Sequence, residues 1–339
     1  MLPIGSNIVE VMHNLNLFDS VVPKNKIHPA FKALRDSNDH QYAKGLMNSL
    51  FARMTDPNGN FVRDFQSDGF HSRVFELACF AYLEEAGLSI NRQYERPDFV
   101  ATRDNISICV EVTSANPSTG RKTDIALNRM LPLSEDQIQE KVNNEFPKRM
   151  RSVLRKKSRR RYERLSHCEG KPIVLMVAPF FEAGSVFYVD EALLRCLYDY
   201  GEVSEEQQKI APLFTSKEND SISAVLYCNA FTVPRFFRLS TPLGENSELV
   251  AIRQGYYLED SSESMFSVSE FRYRVGDDFV PRETWAEGVT VFLNPYARIP
   301  LDPLILPCTS RFSVRDDYLI RDIIGFHPVL SSMIVGRNN

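Results

Sequence analysis

The sequence lacks the short motifs of most catalytic chemistries. It has no CxxC, no His-x-His or His-x-x-x-His spacing among its 6 histidines, and no Gly-x-Ser-x-Gly elbow. Those absences argue against a zinc site, thiol redox chemistry and a serine-hydrolase triad. No stretch approaches the ~20 uninterrupted apolar residues of a membrane span. Residues 1–9 lack the basic start and long apolar core of a signal peptide. A surplus of basic charge is also missing: 40 Lys and Arg face 44 Asp and Glu, for a net charge of −4. Any polyanion site must therefore be local. The 6 cysteines are scattered, several within apolar runs, which suggests buried free thiols in a reducing, cytoplasmic compartment. The sole tryptophan, Trp285, reads as a core residue.

What is present is a chain of 339 residues, 43% hydrophobic and 25% charged, enough for two domains or one large domain with additions. Residues 1–66 read as short helices. Asp56-Pro57-Asn58-Gly59-Asn60 reads as a turn, since a calcium loop needs its glycine at the sixth position. The strongest early helix spans 71–86, stopped by Gly87. Strands are expected over 90–94, 98–102 and 106–113, with Arg103-Asp104-Asn105 as a tight hairpin turn. A polar loop from Ser114 to about Pro132 leads to a long helix over 135–165, interruptible at Pro147. An apolar strand over 172–178, a helix over 190–197 and a strand over 223–228 complete an α/β order with helices on both faces of a mixed central sheet. From 231 to 339 the texture turns aromatic and β-rich. The expected divisions are 1–66, 67–230 and 231–339.

Two strand segments each deliver one acid. Asp98 follows Arg96-Pro97, and Glu111 stands thirteen residues later between Val110 and Val112. An acid in an apolar strand is costly unless paired or bound to a cation. The bland alternative is a strand-end glutamate in a salt bridge. Residues 148–164 hold ten Lys or Arg against a single Glu, the one strong positive patch of this acidic chain. Met150, Val153, Leu154 and Leu165 define the face of that helix that should pack on the sheet, and Lys157 and Arg161 fall within it. An inward cation needs an acidic partner, unless it snorkels.

These features resemble the PD-(D/E)XK, or restriction-endonuclease-like, superfamily of phosphodiesterases, over about residues 70–230. The resemblance implies an αβββαβ core with a mixed sheet, an N-terminal helical segment and a β-rich C-terminal extension. It makes Glu76 the helix acid, Asp98 the motif aspartate and Glu111 the second metal ligand, with Mg²⁺ or Mn²⁺ as cofactor. Thr113 stands where the motif lysine belongs. The whole chain is similar to a bacterial set within that superfamily in which threonine is common there. The matching phrases are Gly59-Asn-Phe-Val-Arg-Asp-Phe-Gln66, Glu111-Val-Thr-Ser-Ala-Asn-Pro117, Gly170-Lys-Pro172 and Phe292-Leu-Asn-Pro295. The superfamily tolerates a lysine migrated to the following helix, which points to Lys157, with Lys122 in the loop Gly120-Arg-Lys-Thr123 as fallback. The implied function is a metal-dependent nuclease acting on nucleic acid, DNA by superfamily habit, with Arg155, Lys156, Arg159, Arg160 and Arg161 on flanking phosphates. Two rivals stand beside it: a nuclease-like module that binds nucleic acid without cutting, and a protein-interaction module. Lys157 in contact with Glu111 would favour the enzyme; Lys157 in bulk solvent would favour the binder.

Overall fold

The computed structural model describes residues 16–117, 125, 133–198, 211–215, 219–240, 248–259, 267–277 and 281–337. The loop 120–123, and with it Lys122, lies outside the described residues.

Helix formation begins with α1 (Pro29–Asp36), α2 (Gln41–Arg53) and α3 (Phe61–Gln66). The Asp56–Asn60 segment is a turn, with Gly59 at φ +62°, and the Asp56 carboxylate accepts the Phe61 N–H at 2.9 Å. Its acid serves to cap α3. The following helix, α4 (Phe70–Glu85), is apolar on most of its circumference and buries Phe70, Val74, Phe75, Leu77 and Phe80. A helix with so little polar surface must lie inside the molecule. It sits between α1–α3 and the sheet, and Gly87 (φ +75°) ends it, with Leu88 N–H donating to Leu83 O.

Among the described residues eight strands form the central sheet. In chain order they are β1 (Ser89–Asn91), β2 (Phe99–Arg103), β3 (Ile106–Ser114), β4 (Ile173–Ala178), β5 (Ala224–Tyr227), β8 (Thr290–Leu293), β9 (Ser310–Arg315) and β10 (Tyr318–Ile323), which is also their spatial order. The first three form an antiparallel meander. Asp104 and Asn105 both take positive φ (50° and 69°), the backbone a two-residue hairpin turn requires. Strands β3, β4 and β5 run parallel, β8 is antiparallel to β5, β9 is parallel to β8 and β10 reverses again. Every residue of β4 is buried, as expected of a strand covered on both faces. A second sheet has the order β11 (His327–Arg337), β6 (Leu249–Glu259), β7 (Ser267–Arg274), all antiparallel. Strand pairing does not respect the boundary at 230, because β8–β10 continue the central sheet beside β5. The aromatic texture after 231 hid this, since β8 is only four residues long.

The expected helix over 135–165 is shorter and composite. It comprises α5 (Glu135–Glu140), a π-helical stretch (Lys141–Glu145) and α6 (Phe146–Ser158). Pro147 cannot donate a backbone hydrogen bond, and the widened turn lies directly ahead of it. After Ser158 the chain leaves the helix, Arg161 turns left-handed (φ 54°), and Tyr162 drops into the core. Arg160, Arg161 and Leu165 are therefore off the helix, and the helical phase assigned to Arg161 and Leu165 does not hold. No apolar residue follows Leu154 at helical spacing through the run of cations, so nothing draws a continued helix onto the sheet. A short helix α7 (Leu194–Leu197) shares the α6 side, and α8 (Val233–Leu239) packs on α2.

Alternation along β3 positions the site. Val110 and Val112 enter the core shared with α4, whereas Cys109 enters the core shared with α6. Glu111 and Thr113 have the parity of Cys109 and so face α6.

Candidate acid and lysine site

Asp98 immediately precedes β2, and Phe99 is paired with Val110. Extending that register by one residue sets Asp98 opposite Glu111 on one face of the sheet. The Asp98 Oδ2 accepts the Val112 N–H at 2.7 Å. Burial, then the negative charges of Glu111 and Glu76, push the Asp98 carboxyl up to about 7, against the pull of Lys157 and the Val112 amide. Burial and its acidic neighbours thus hold the Asp98 carboxyl toward its neutral form.

Glu111 is 2% exposed. Lys157, near the end of α6, reaches across to it: Nζ lies 2.5 Å from Glu111 Oε1 and 3.3 Å from Val112 O. Arg160 Nη1 lies 3.4 Å from the same carboxylate oxygen, brought there by the chain reversal after the helix. The fully buried Tyr162 ring sits beside Glu111, and burial followed by the Glu111 charge pushes its phenol well above the ordinary tyrosine range. Sequence reading missed Tyr162; its only signal was a lone aromatic closing a run of cations.

Glu76 projects from α4 and is also buried. Arg73 Nη1 binds Glu76 Oε2 at 2.6 Å while its Nη2 binds Asp64 at 2.6 Å, and Arg92 Nη2 binds Glu76 Oε1. Arg92 is itself buried and stacks on the Phe99 ring, its guanidinium carbon 5.0 Å from the centroid. Both Glu76 oxygens are thus engaged by arginines, and its charge reaches Asp98 through space. Among the described residues no three His, Cys, Asp or Glu side chains are grouped to hold a metal ion. The structure brings together Asp98, Glu111 and Lys157; it ties Glu76 to Arg73 and Arg92. Neither arginine was singled out in the sequence.

Thr113 is half-buried in register with Val177, two residues beyond Glu111 and on its face. Lys156, Arg159, Arg160 and Arg161 are exposed and Arg155 is half-buried, so the positive patch is a surface. Arg161 points to Glu163, 3.6 Å away, and not toward the acids.

No protein-family model matches this chain, nor does any curated protein or solved structure.

The arrangement can be tested against a divalent cation by its donors. Two facing carboxylates offer oxygen ligands: Asp98, pushed toward neutrality by burial and then by Glu111 and Glu76, and Glu111, which also holds Lys157. Mg²⁺ is commonly held by one or two carboxylates with the remaining positions left to water and phosphate oxygens. Asp98 and Glu111 fit that demand; thiol or imidazole ligands are not part of the set. All 6 cysteines are buried and unpaired by disulfides. No helix among the described residues is long and apolar enough to cross a membrane.

Proposed function

We propose that this chain is a Mg²⁺- or Mn²⁺-dependent nuclease hydrolysing phosphodiester bonds of nucleic acid, with DNA as the leading substrate. The observation that carries the reading is the Lys157 ammonium on the Glu111 carboxylate, with Asp98 facing it from the neighbouring strand. Support also comes from the element order α4, β1, β2, β3, α6, β4, which is the αβββαβ order of the restriction-endonuclease-like core.

Asp98 and Glu111 would hold the cation, which when bound supplies positive charge to the phosphate and acidifies water. Lys157 keeps a positive charge next to the scissile phosphorus, where negative charge gathers as water adds and the ester oxygen leaves. It thereby takes the part that Thr113 cannot play, while the Thr113 hydroxyl is placed to orient water. Arg160, exposed and already on Glu111, stands between the acids and the surface patch of Arg155, Lys156, Arg159 and Arg161, which would track flanking phosphates. Glu76 fixes Arg92 against Phe99 and so braces the start of β2 beside Asp98.

One observation favours a second reading, a module that binds nucleic acid without cutting it: both oxygens of Glu76, the helix acid, are already taken by Arg73 and Arg92. A cleavage assay on plasmid, linear and single-stranded DNA and on RNA separates the two. The enzyme cuts at least one substrate with Mg²⁺ or Mn²⁺ and stops in EDTA. Tight binding with no cleavage in either metal would replace it with the binding module.

A further inference from the structure

The second sheet has an edge that is unpaired among the described residues. Strand β7 pairs with β6 on one side, and among the described residues nothing pairs with its other side. Proteins usually blunt such an edge with a proline, a bulge, a short strand or charged side chains, because its free backbone groups invite another strand. The opposite edge, β11, carries both a proline and a bulge, at Pro328 to Leu330. Strand β7 has neither: its register with β6 is unbroken over eight residues, Ser267–Arg274, without proline or glycine.

Its charges are self-complementary. Glu270 and Arg272 are both exposed, lie two residues apart and so share a face. Their cross-strand neighbours on β6 are Tyr256 and Gln254, which carry no charge to match them. Exposed apolar surface adjoins them, with Val268 59% and Tyr256 41% exposed.

We propose that two copies of this chain join through β7, antiparallel, about a two-fold axis at Phe271. In that register Glu270 faces the partner's Arg272, Arg272 faces the partner's Glu270, and Val268 lies against the stem of the partner's Arg274. Sliding by one residue pair in either direction sets Glu270 on the partner's Glu270, or Arg272 on the partner's Arg272. Opposite charges directly across a ladder stabilise it and like charges oppose it, so charge selects the central register. The three strands of each copy then form one continuous six-stranded sheet, and the interface is isologous, as a two-fold demands.

Sedimentation velocity over a range of concentrations, with circular dichroism to confirm folding, tests this on the full chain. Wild type should show a reversible monomer–dimer equilibrium. Glu270→Arg alone, or Arg272→Glu alone, sets like charges opposite each other twice per dimer and should weaken association by roughly ten- to a hundredfold. Mixing the two single variants should restore dimers, because one chain now offers only cations at these positions and the other only anions. The double variant Glu270→Arg with Arg272→Glu should dimerise by itself. A wild type that stays monomeric at high concentration, a dimer indifferent to both single reversals, or a mixture that fails to associate would each overturn the proposal.

Discussion

Two buried ionic clusters in this molecule use the same residue types to opposite ends. Beneath the second sheet, Arg253 holds Glu287 through both guanidinium ends (2.8 and 2.6 Å), with Arg235 and Arg238 also in ionic range and Glu283 completing the set. Burial alone would raise the Glu287 carboxyl, but Arg235 and Arg253 bring it down to about 2. At the β2–β3 end, Asp98 is pushed the other way, to about 7, by burial and then by the charges of Glu111 and Glu76, which outweigh the pull of Lys157. One cluster is saturated with positive charge and ties α8 to the β6 sheet. The other holds one acid, Asp98, with no ion pair among the described residues, beside Glu111 and Glu76, which have theirs. A buried ion pair with every partner supplied is structural, whereas a buried acid without one is a candidate binding position, the part that the proposed function gives to Asp98.

The largest expected effect falls on the saturated cluster. Glu287→Gln leaves three arginines buried with Glu283 alone and should cost about 3 kcal/mol of stability, read as a lower denaturant midpoint with an unchanged slope. Because the Glu287 carboxyl lies below its ordinary value, its contribution is present above about pH 4.5 and is lost as pH falls toward 2. Cleavage per folded molecule should stay as in wild type. A neutral Glu287→Gln would erase the contrast between the clusters.

Lys157→Met should act on cleavage as well as on stability. It keeps the apolar stem and deletes the charge, leaving Glu111 only Arg160 as a close cation, so the fold should persist with stability lowered by about 1–3 kcal/mol while cleavage per folded molecule drops by on the order of 10²-fold or more. Metal and nucleic-acid binding should remain near normal. A Lys157→Met protein that cuts at the wild-type rate would return the role to Lys122 or to no lysine at all.

The smallest and sharpest effect belongs to Asp98→Asn. Its carboxyl lies above its ordinary value, so the protonated form is favoured in the folded state: stability present below about pH 3.8 is lost as pH rises through about 7. Removing the acid should leave stability equal or raise it by on the order of 1 kcal/mol at pH 8, and flatten that slope. The heat of Mn²⁺ binding should vanish in the same variant. Stability that falls at pH 8, with Mn²⁺ binding intact, would place Asp98 among structural acids like Glu287.

Much of the site was legible because it follows from alternation. Val-Glu-Val in an apolar strand fixes the face of Glu111, and the packing stripe of α6 sets Lys157 inward; both are local patterns that tertiary structure had only to align. The fate of Glu76 was not legible, since Arg92 lies sixteen residues away on the far side of β1 and pairing at that range has no periodicity. Arg160 and Arg161 exchanged expectations because a helix end was extrapolated through residues that have no apolar anchor. The central sheet was readable as far as β5. Its last three strands were not, because β8 contributes four residues and pairs with a strand more than sixty positions earlier.

The hydrogen bond from Val112 N–H to Asp98 Oδ2 has a practical consequence. That proton belongs to the central strand of the site yet is tied to a carboxylate and not to a neighbouring backbone. Its chemical shift in a ¹⁵N-edited spectrum will follow the ionisation of Asp98, residue by residue, across the neutral pH range. Titrating Mn²⁺ would broaden the same resonance, while the diamagnetic Mg²⁺ would move it. A single backbone amide thus serves as an indicator of whether the acid is protonated, ionised or bound, with no label added to the site.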